Sequence, residues 1–137
     1  MMITREQIVE EARTWIGCPF HHQGRLKGIG ADCAGVVIGT ANALGLTNFD
    51  TVDYARQPDG IVMRKVLDEQ MVSIVFDEIQ YGDVILFAFD RDPQHVGFFT
   101  DVGLLHSYAQ VKKCIEVSLD ETWKNRIRGV YRFEGIV

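Results

Sequence analysis

Residues 28–45 read GIGADCAGVVIGTANALG. The first half is turn-rich, the second is an apolar helical run, and Cys33 stands where they meet. Asp32 is an N-cap residue type, so the reading places Cys33 at the first helical position. Val36, Val37, Thr40, Ala41 and Leu44 form the buried face behind it, and Gly45 ends the helix. Gly35 and Gly39 share one side, which predicts close approach to a sheet. A thiol at the helix start admits two readings. It is a small buried hydrophobe, or it is a nucleophile whose pKa the helix N-terminus lowers. In the second case the unpaired N–H groups of the first turn can also hold an oxyanion.

Working outward, Ile8, Ala12, Trp15 and Ile16 make one helical stripe upstream. Thr4 and Gln7 have the spacing of a capping box, and Gly17 and Pro19 stop that helix. Residues 17–31 hold several glycines and a proline and read as a long loop. Downstream, 46–60 read as irregular. A helix over about 60–70 follows, with Met63, Val66, Leu67 and Met71 on one side. The pattern then changes. VILFAF (84–89), HVGFFT (95–100), LLHSYA (104–109), KCIEVSL (113–119) and GVYRFEG (129–135) are strand-like, and 120–126 suggest a short helix. Helices come first and strands second, without βαβ alternation. The fold class is therefore α+β, with N-terminal helices packed on an antiparallel sheet.

A chain of 137 residues suits one domain over 1–137. Hydrophobic residues are 47% and charged residues 24%, an ordinary globular composition. A formal charge of −5 argues against non-specific nucleic-acid binding. No apolar run approaches the ~18 residues of a membrane span. The N-terminal stretch, with Glu6, Glu10 and Glu11, lacks a secretory-signal layout, so the expectation is synthesis in the cytoplasm. Three cysteines, Cys18, Cys33 and Cys114, do not make a disulfide framework. Cys18 and Cys114 read as structural. The spacing of Cys18, His21, His22 and Cys33 departs from zinc-site patterns. No Gly-rich stretch has dinucleotide or P-loop context. We expect no metal and no cofactor.

A cysteine nucleophile needs a base. His95 opens the HVGFFT strand after the turn-like DRDPQ, and His106 lies in the next strand. Asp101, Val102 and Gly103 form the turn between them. The simplest hairpin register pairs 98 with 103 and 95 with 106. Both histidines then share one face, ~5 Å apart, and His106 can orient the His95 ring. Asp83, at a strand start, reads as a turn residue rather than a catalyst. Trp15, Phe87, Phe89, Phe98 and Phe99 read as core or groove lining.

The stretches GCPFHHQG (17–24), GADCAGVV (30–37), YGDVILF (81–87), QHVGFF (94–99) and LLHSY (104–108) resemble, in order and spacing, the NlpC/P60 cysteine peptidases. The likeness covers nearly the whole chain, and the paired His21-His22 is most similar to the phage-encoded branch. The resemblance implies a papain-like fold. It also implies Cys33 as nucleophile, His95 as base and His106 as the residue orienting it. Phe20, His21, His22, Asp32 and Ala34 fall in the substrate or oxyanion region. The implied activity is cleavage of an amide bond in bacterial cell-wall (peptidoglycan) stem peptides. The implied setting is a phage or prophage tail or release by lysis, with tail proteins as partners. Three positions depart from the family pattern. Phe20 replaces a Tyr and brings no hydroxyl, Ala34 replaces a Ser, and Tyr81 replaces a Pro. The first two bear on substrate choice and activity. They keep a second reading open, a tail-assembly module with this fold and weak or no catalysis. A transferase using the same Cys–His pair is a third.

Overall fold

The structure, a computed structural model, describes residues 2–51, 61–89 and 93–137. Helix α1 spans Arg5–Arg13. Thr4 accepts from the Gln7 N–H at 3.1 Å, and Gln7 returns a bond to the Thr4 N–H at 2.8 Å, the expected capping box. Ile8, Ala12 and Trp15 are buried as predicted, but Ile16 is 45% exposed. The helix ends at Arg13, so Ile16 lies in the following turn and leaves the stripe; Val9 is buried instead.

The segment expected to be loop carries a small antiparallel pair, β1 (Arg25–Leu26) and β2 (Gly30–Ala31). It leads into α2 (Cys33–Ala43), which Asp32 caps through a 2.7 Å bond from the Gly35 N–H. Helix α3 (Val62–Gln70) buries Leu67 and is followed by buried Met71. The irregular reading of 52–60 and the turn residues 90–92 lie outside the described residues.

The strands are β3 (Val72–Ile74), β4 (Val84–Ala88), β5 (Pro93–Phe99), β6 (Leu104–Tyr108), β7 (Lys113–Val117) and β8 (Ile127–Arg132), with short helix α4 (Glu121–Lys124) before the last. They form one antiparallel sheet in the order β3-β8-β4-β5-β6-β7. Strand β3 is absent from the sequence reading because three residues are too few to show a strand period, and they lie at the exposed edge of the sheet. Strand β5 starts at Pro93, two residues earlier than predicted.

The sheet has two apolar faces. Val84, Leu86, Val96, Phe98 and Leu105 meet α1 and α2 in the larger core cluster. Ile85, Phe87 and Leu104 meet Trp123 of α4 on the other side. The glycines of α2 act differently from expectation. A Cβ on Gly39 would lie 2.3 Å from the Trp15 ring, and one on Gly35 would be driven into the Gly24 carbonyl. The small-residue side of α2 thus admits Trp15, in the turn after α1, and the Gly24 backbone before β1, while Val36 and Val37 join the core cluster that meets the sheet.

Candidate active site

Asp32 is buried and organises the start of α2. Its Oδ1 accepts from the Gly35 N–H, and its Oδ2 accepts from the Gln23 N–H at 2.8 Å. The Arg25 guanidinium donates to Asp32 Oδ1 at 3.1 Å, to Asp50 Oδ1 at 2.9 Å and to the Thr51 carbonyl at 2.6 Å. One arginine therefore ties β1 and residues 50–51 to the cap of the cysteine helix. Ala31, two residues before Cys33, is held from three sides. Its N–H donates to the Pro19 carbonyl, and its carbonyl accepts from the His21 N–H and, at 2.8 Å, from the Ser107 hydroxyl. Phe20 bridges to Ala31 as well. Phe20 and His21 are thus tied by backbone contacts to Ala31, and Asp32 and Ala34 flank Cys33 in the chain. His21 is exposed, and its Nδ1 meets the His22 carbonyl at 3.0 Å.

The expected hairpin register is corrected. Phe98 pairs with Leu105 and Phe99 with Leu104, so the turn is centred one residue later than the simplest reading placed it and the register moves by two. Continued along the strands, this register sets Gly97 opposite His106 and His95 diagonal to it. A shift of two preserves parity, so the histidines still share a face. His95 Nε2 and His106 Nδ1 are 2.6 Å apart, a direct ring-to-ring hydrogen bond. Gly97 makes this possible: a Cβ there would lie 3.0 Å from the His106 Cβ and 2.7 Å from Leu104 Cδ1. His106 Nε2 is buried and without a hydrogen-bond partner among the described residues.

The thiol and the histidine rings belong to clusters on the two sides of β5. Cys33 belongs to the helix-side cluster. The His95 and His106 rings lie in the far-face aromatic cluster with Trp123, at 5.7 and 4.9 Å between centroids, and with Tyr108. Phe99 bonds toward β4 through its N–H and carbonyl. By alternation the Val96 N–H points the other way, toward β6. Pairing with β6 is confined to residues 98 and 99, so the strands have parted at Val96. That N–H favours the Cys33 thiolate. The thiol therefore sits against the peptide that follows His95.

Electrostatics reverse one expectation. Cys33 is 9% exposed, and burial pushes its thiol up to about 12, with the Asp32 charge adding to the rise. The N–H groups of Val96, Ala34 and Cys33 itself pull the other way and lose. The helix start does favour the thiolate, as predicted, but desolvation outweighs it. Burial also holds His95 well below the ordinary imidazole range, helped by His106 and by the Arg126 charge. His106 is lowered to about 4 by burial. The resting pair is a neutral thiol and a neutral imidazole.

The remaining candidates separate from the site. Cys18 and Cys114 are buried free thiols joined through backbone, the Cys114 N–H donating to the Cys18 carbonyl at 2.9 Å. Asp83 accepts from Arg5 and Arg132, each at 2.9 Å, and its Oδ2 braces the turn by accepting from the Gln80 N–H. It is a turn residue, as read, and also the centre of a buried ion cluster. Among the described residues no group of three His, Cys, Asp or Glu could hold a metal ion, and no helix is long and apolar enough to cross a membrane. Sequence reasoning missed Ser107, Arg25, Trp123 and Arg126. Parity with Leu105 could have placed Ser107 on the helix side; no local signal marks the others.

A comparison with protein-family models finds no match. One curated relative is the Gamma-DL-glutamyl hydrolase of Bacillus subtilis (strain 168), 24% identical over 136 residues. The match takes in 94% of this chain, which spans only 29% of that protein. Among solved structures, an NlpC/P60 family protein from Bacillus cereus ATCC 10987 superposes with a TM-score of 0.75 at 20% identity, over 97% of this chain and 41% of that one. The NlpC/p60 domain of the peptidoglycan hydrolase SagA gives 0.68 at 15% identity, covering 95% of this chain and 99% of that domain. Helices against an antiparallel sheet, with a cysteine opening the helix that abuts its central strands, are here the NlpC/P60 fold.

Proposed function

We propose that this chain is a single NlpC/P60-like domain over 1–137 that works as a cysteine hydrolase on an amide bond of bacterial cell-wall stem peptides. The observation that carries the reading is the buried His95–His106 bond of 2.6 Å, with Cys33 opening the helix that packs on β5. Relatives of the chain include a γ-glutamyl hydrolase and a peptidoglycan hydrolase, and these suggest the substrate class.

Because thiol and imidazole rest neutral, the reading is general-base attack rather than a standing thiolate–imidazolium pair. The Cys33 sulfur bonds to the amide carbonyl carbon as His95 takes the S–H proton. His106, bonded to His95 Nε2, holds the ring with Nδ1 available for that proton. The oxyanion develops beside the helix-start N–H groups, that of Cys33 included. The C–N bond then breaks as His95 returns the proton to the leaving amine. Water, deprotonated by His95, hydrolyses the thioester, and the sulfur regains its proton.

The paired His21-His22 supports the finer assignment to a phage or prophage protein, acting at a tail or after lysis. The test is digestion of purified wall fragments by the protein and by Cys33→Ala, read by mass spectrometry. Release of cleaved stem peptides by the first protein alone upholds the reading. Identical digests sink it.

One observation favours a second reading, a tail-assembly module without catalysis. Cys33 is deeply buried and strongly protonated, and Phe20 and Ala34 lack the hydroxyls of the family pattern. On that reading Cys33→Ala changes neither wall cleavage nor assembly.

A further inference from the structure

Two of the three thiols face each other. Beyond the edge strand β7 the chain adds one more antiparallel partner, the segment 17–20, paired through Pro19 and Lys113. That register sets Cys18 opposite Cys114. The Cys114 N–H donates to the Cys18 carbonyl, and the Gly17 N–H donates to the Cys114 carbonyl, each at 2.9 Å. Residues 17 and 18 together oppose 114, with Gly17 at φ 88°, which is a glycine bulge. On its other side Cys114 pairs with Ser107. Ser107, Cys114 and Cys18 therefore form one row across β6, β7 and the added segment. Opposed residues share a face. Both cysteines are buried in the helix-side core cluster.

Opposed residues on antiparallel chains have Cα atoms about 4.5–5.5 Å apart. A disulfide bridges Cα atoms about 4.4–6.8 Å apart. The spacing of this pair therefore suits a bond. The Cys18 charge also adds to the rise in the Cys114 pKa, a second mark that the two thiols are neighbours. Cys33 opens a helix and has no place in the row. The row nevertheless bears on Cys33. The Pro19 carbonyl accepts from the Ala31 N–H, and the Ser107 hydroxyl donates to the Ala31 carbonyl. The two ends of the row thus hold the residue two positions before Cys33.

We infer that Cys18 and Cys114 are a disulfide-forming pair, which in an oxidising medium clamps the segment 17–20 to β7 and leaves Cys33 as the free thiol. The oxidant is a small-molecule disulfide such as oxidised glutathione. Cys18 is reached first, being 4% exposed against 0% for Cys114. Its thiol lies 3.7 Å from the Leu26 carbonyl of the β1–β2 hairpin, and the Leu26 and Ile29 side chains of that hairpin are exposed. Local opening of the hairpin uncovers the sulfur. The Cys18 thiolate attacks one sulfur of the oxidant, forms a mixed disulfide and releases one small thiol. The Cys114 thiolate then attacks the Cys18 sulfur and releases the second. Two protein thiols are oxidised, one small disulfide is reduced, and the two S–H protons leave on the released thiols. The proposed wall substrate lies outside the reducing interior of a cell, where such bonds persist. The pairing itself requires no hydrolase activity.

The experiment equilibrates the whole chain with oxidised and reduced glutathione in varied ratio, both folded and during refolding from urea. Remaining thiols are trapped with iodoacetamide in urea, and the peptides are mapped by mass spectrometry. The expected result, by either route, is a Cys18–Cys114 link, two hydrogens lighter than the separate peptides, with Cys33 alkylated. The loop it closes runs from 18 to 114, so the melting midpoint rises by about 5 °C or more, and dithiothreitol reverses the rise. Cys18→Ala and Cys114→Ala each abolish the link and the rise. If either variant does not fold, the wild-type map and midpoint decide. A link that includes Cys33, glutathione adducts without a link, or three alkylated thiols at every ratio would each overturn the inference. So would a link that leaves the midpoint unchanged or lowers it.

Discussion

The Ser107 hydroxyl donates to the Ala31 carbonyl at 2.8 Å, across seventy-six residues of sequence. Strand β6 carries His106 on one face and Ser107 on the other, so a single strand fixes both the histidine pair and the approach to Cys33. Ser107→Ala removes this buried bond. The expected cost is about 1–2 kcal/mol of stability, read by urea denaturation. If Cys33 is the nucleophile, kcat/KM for wall fragments also falls, by about tenfold, because the helix start loses its lateral support. Wild-type kinetics in the variant would remove Ser107 from the site.

Gly97 is where a methyl group meets the site most directly. In Gly97→Ala the new carbon must displace Leu104 Cδ1, the His106 Cβ and the Leu105 carbonyl, all within 3.1 Å. Overpacking of this kind costs about 1–3 kcal/mol. It also pushes β6 from β5 and opens the 2.6 Å histidine bond. We expect a folded protein whose hydrolytic rate drops by roughly a hundredfold or more, the scale of general acid–base catalysis. Thermal unfolding alongside wall-fragment kinetics separates the two effects.

Asp83→Asn tests the opposite case, stability without chemistry. The carboxylate is fully buried and serves Arg5, Arg132 and the Gln80 N–H. Leaving two arginines without their anion should cost about 3 kcal/mol, seen as a lower urea midpoint. Alkylation of Cys33 in the folded variant should match wild type. Altered Cys33 reactivity would mean that Asp83 acts on the site.

Stability should fall on both sides of neutral pH. His95 and His106 have lowered folded-state pKa values, so the unfolded chain binds more protons below about 6.5. Their contribution is complete above that pH and is lost on acidification, for His106 down to about 4. Cys33 and Cys114 are raised to about 12 by burial, so their contribution is complete below about 9 and is lost as pH rises toward 12. Each group contributes at most about 1.4 kcal/mol per pH unit within its window. Melting temperature against pH checks this, with His106→Gln flattening the acid limb. A limb unchanged by that variant would contradict the buried, neutral state of His106.

Local chemistry wrote part of this protein into its sequence. The Thr4–Gln7 capping box and the Asp32 cap depend on residues within three positions, so they read correctly, as did the shared face of His95 and His106, which needs only the two-residue period of a strand. Register, burial and pairing lay beyond that range. A turn centred one residue later in the β5–β6 connection moved the partner of His106 from His95 to Gly97 without changing the face. The Cys33 thiol rises because of what packs over it from distant segments, and desolvation outweighed the helix start that the sequence reveals. Ser107 with Ala31, Asp83 with Arg5 and Arg132, and Arg126 on Trp123 and Phe89 unite segments far apart in the chain. Only the folded arrangement sets which polar groups lose water and what replaces it.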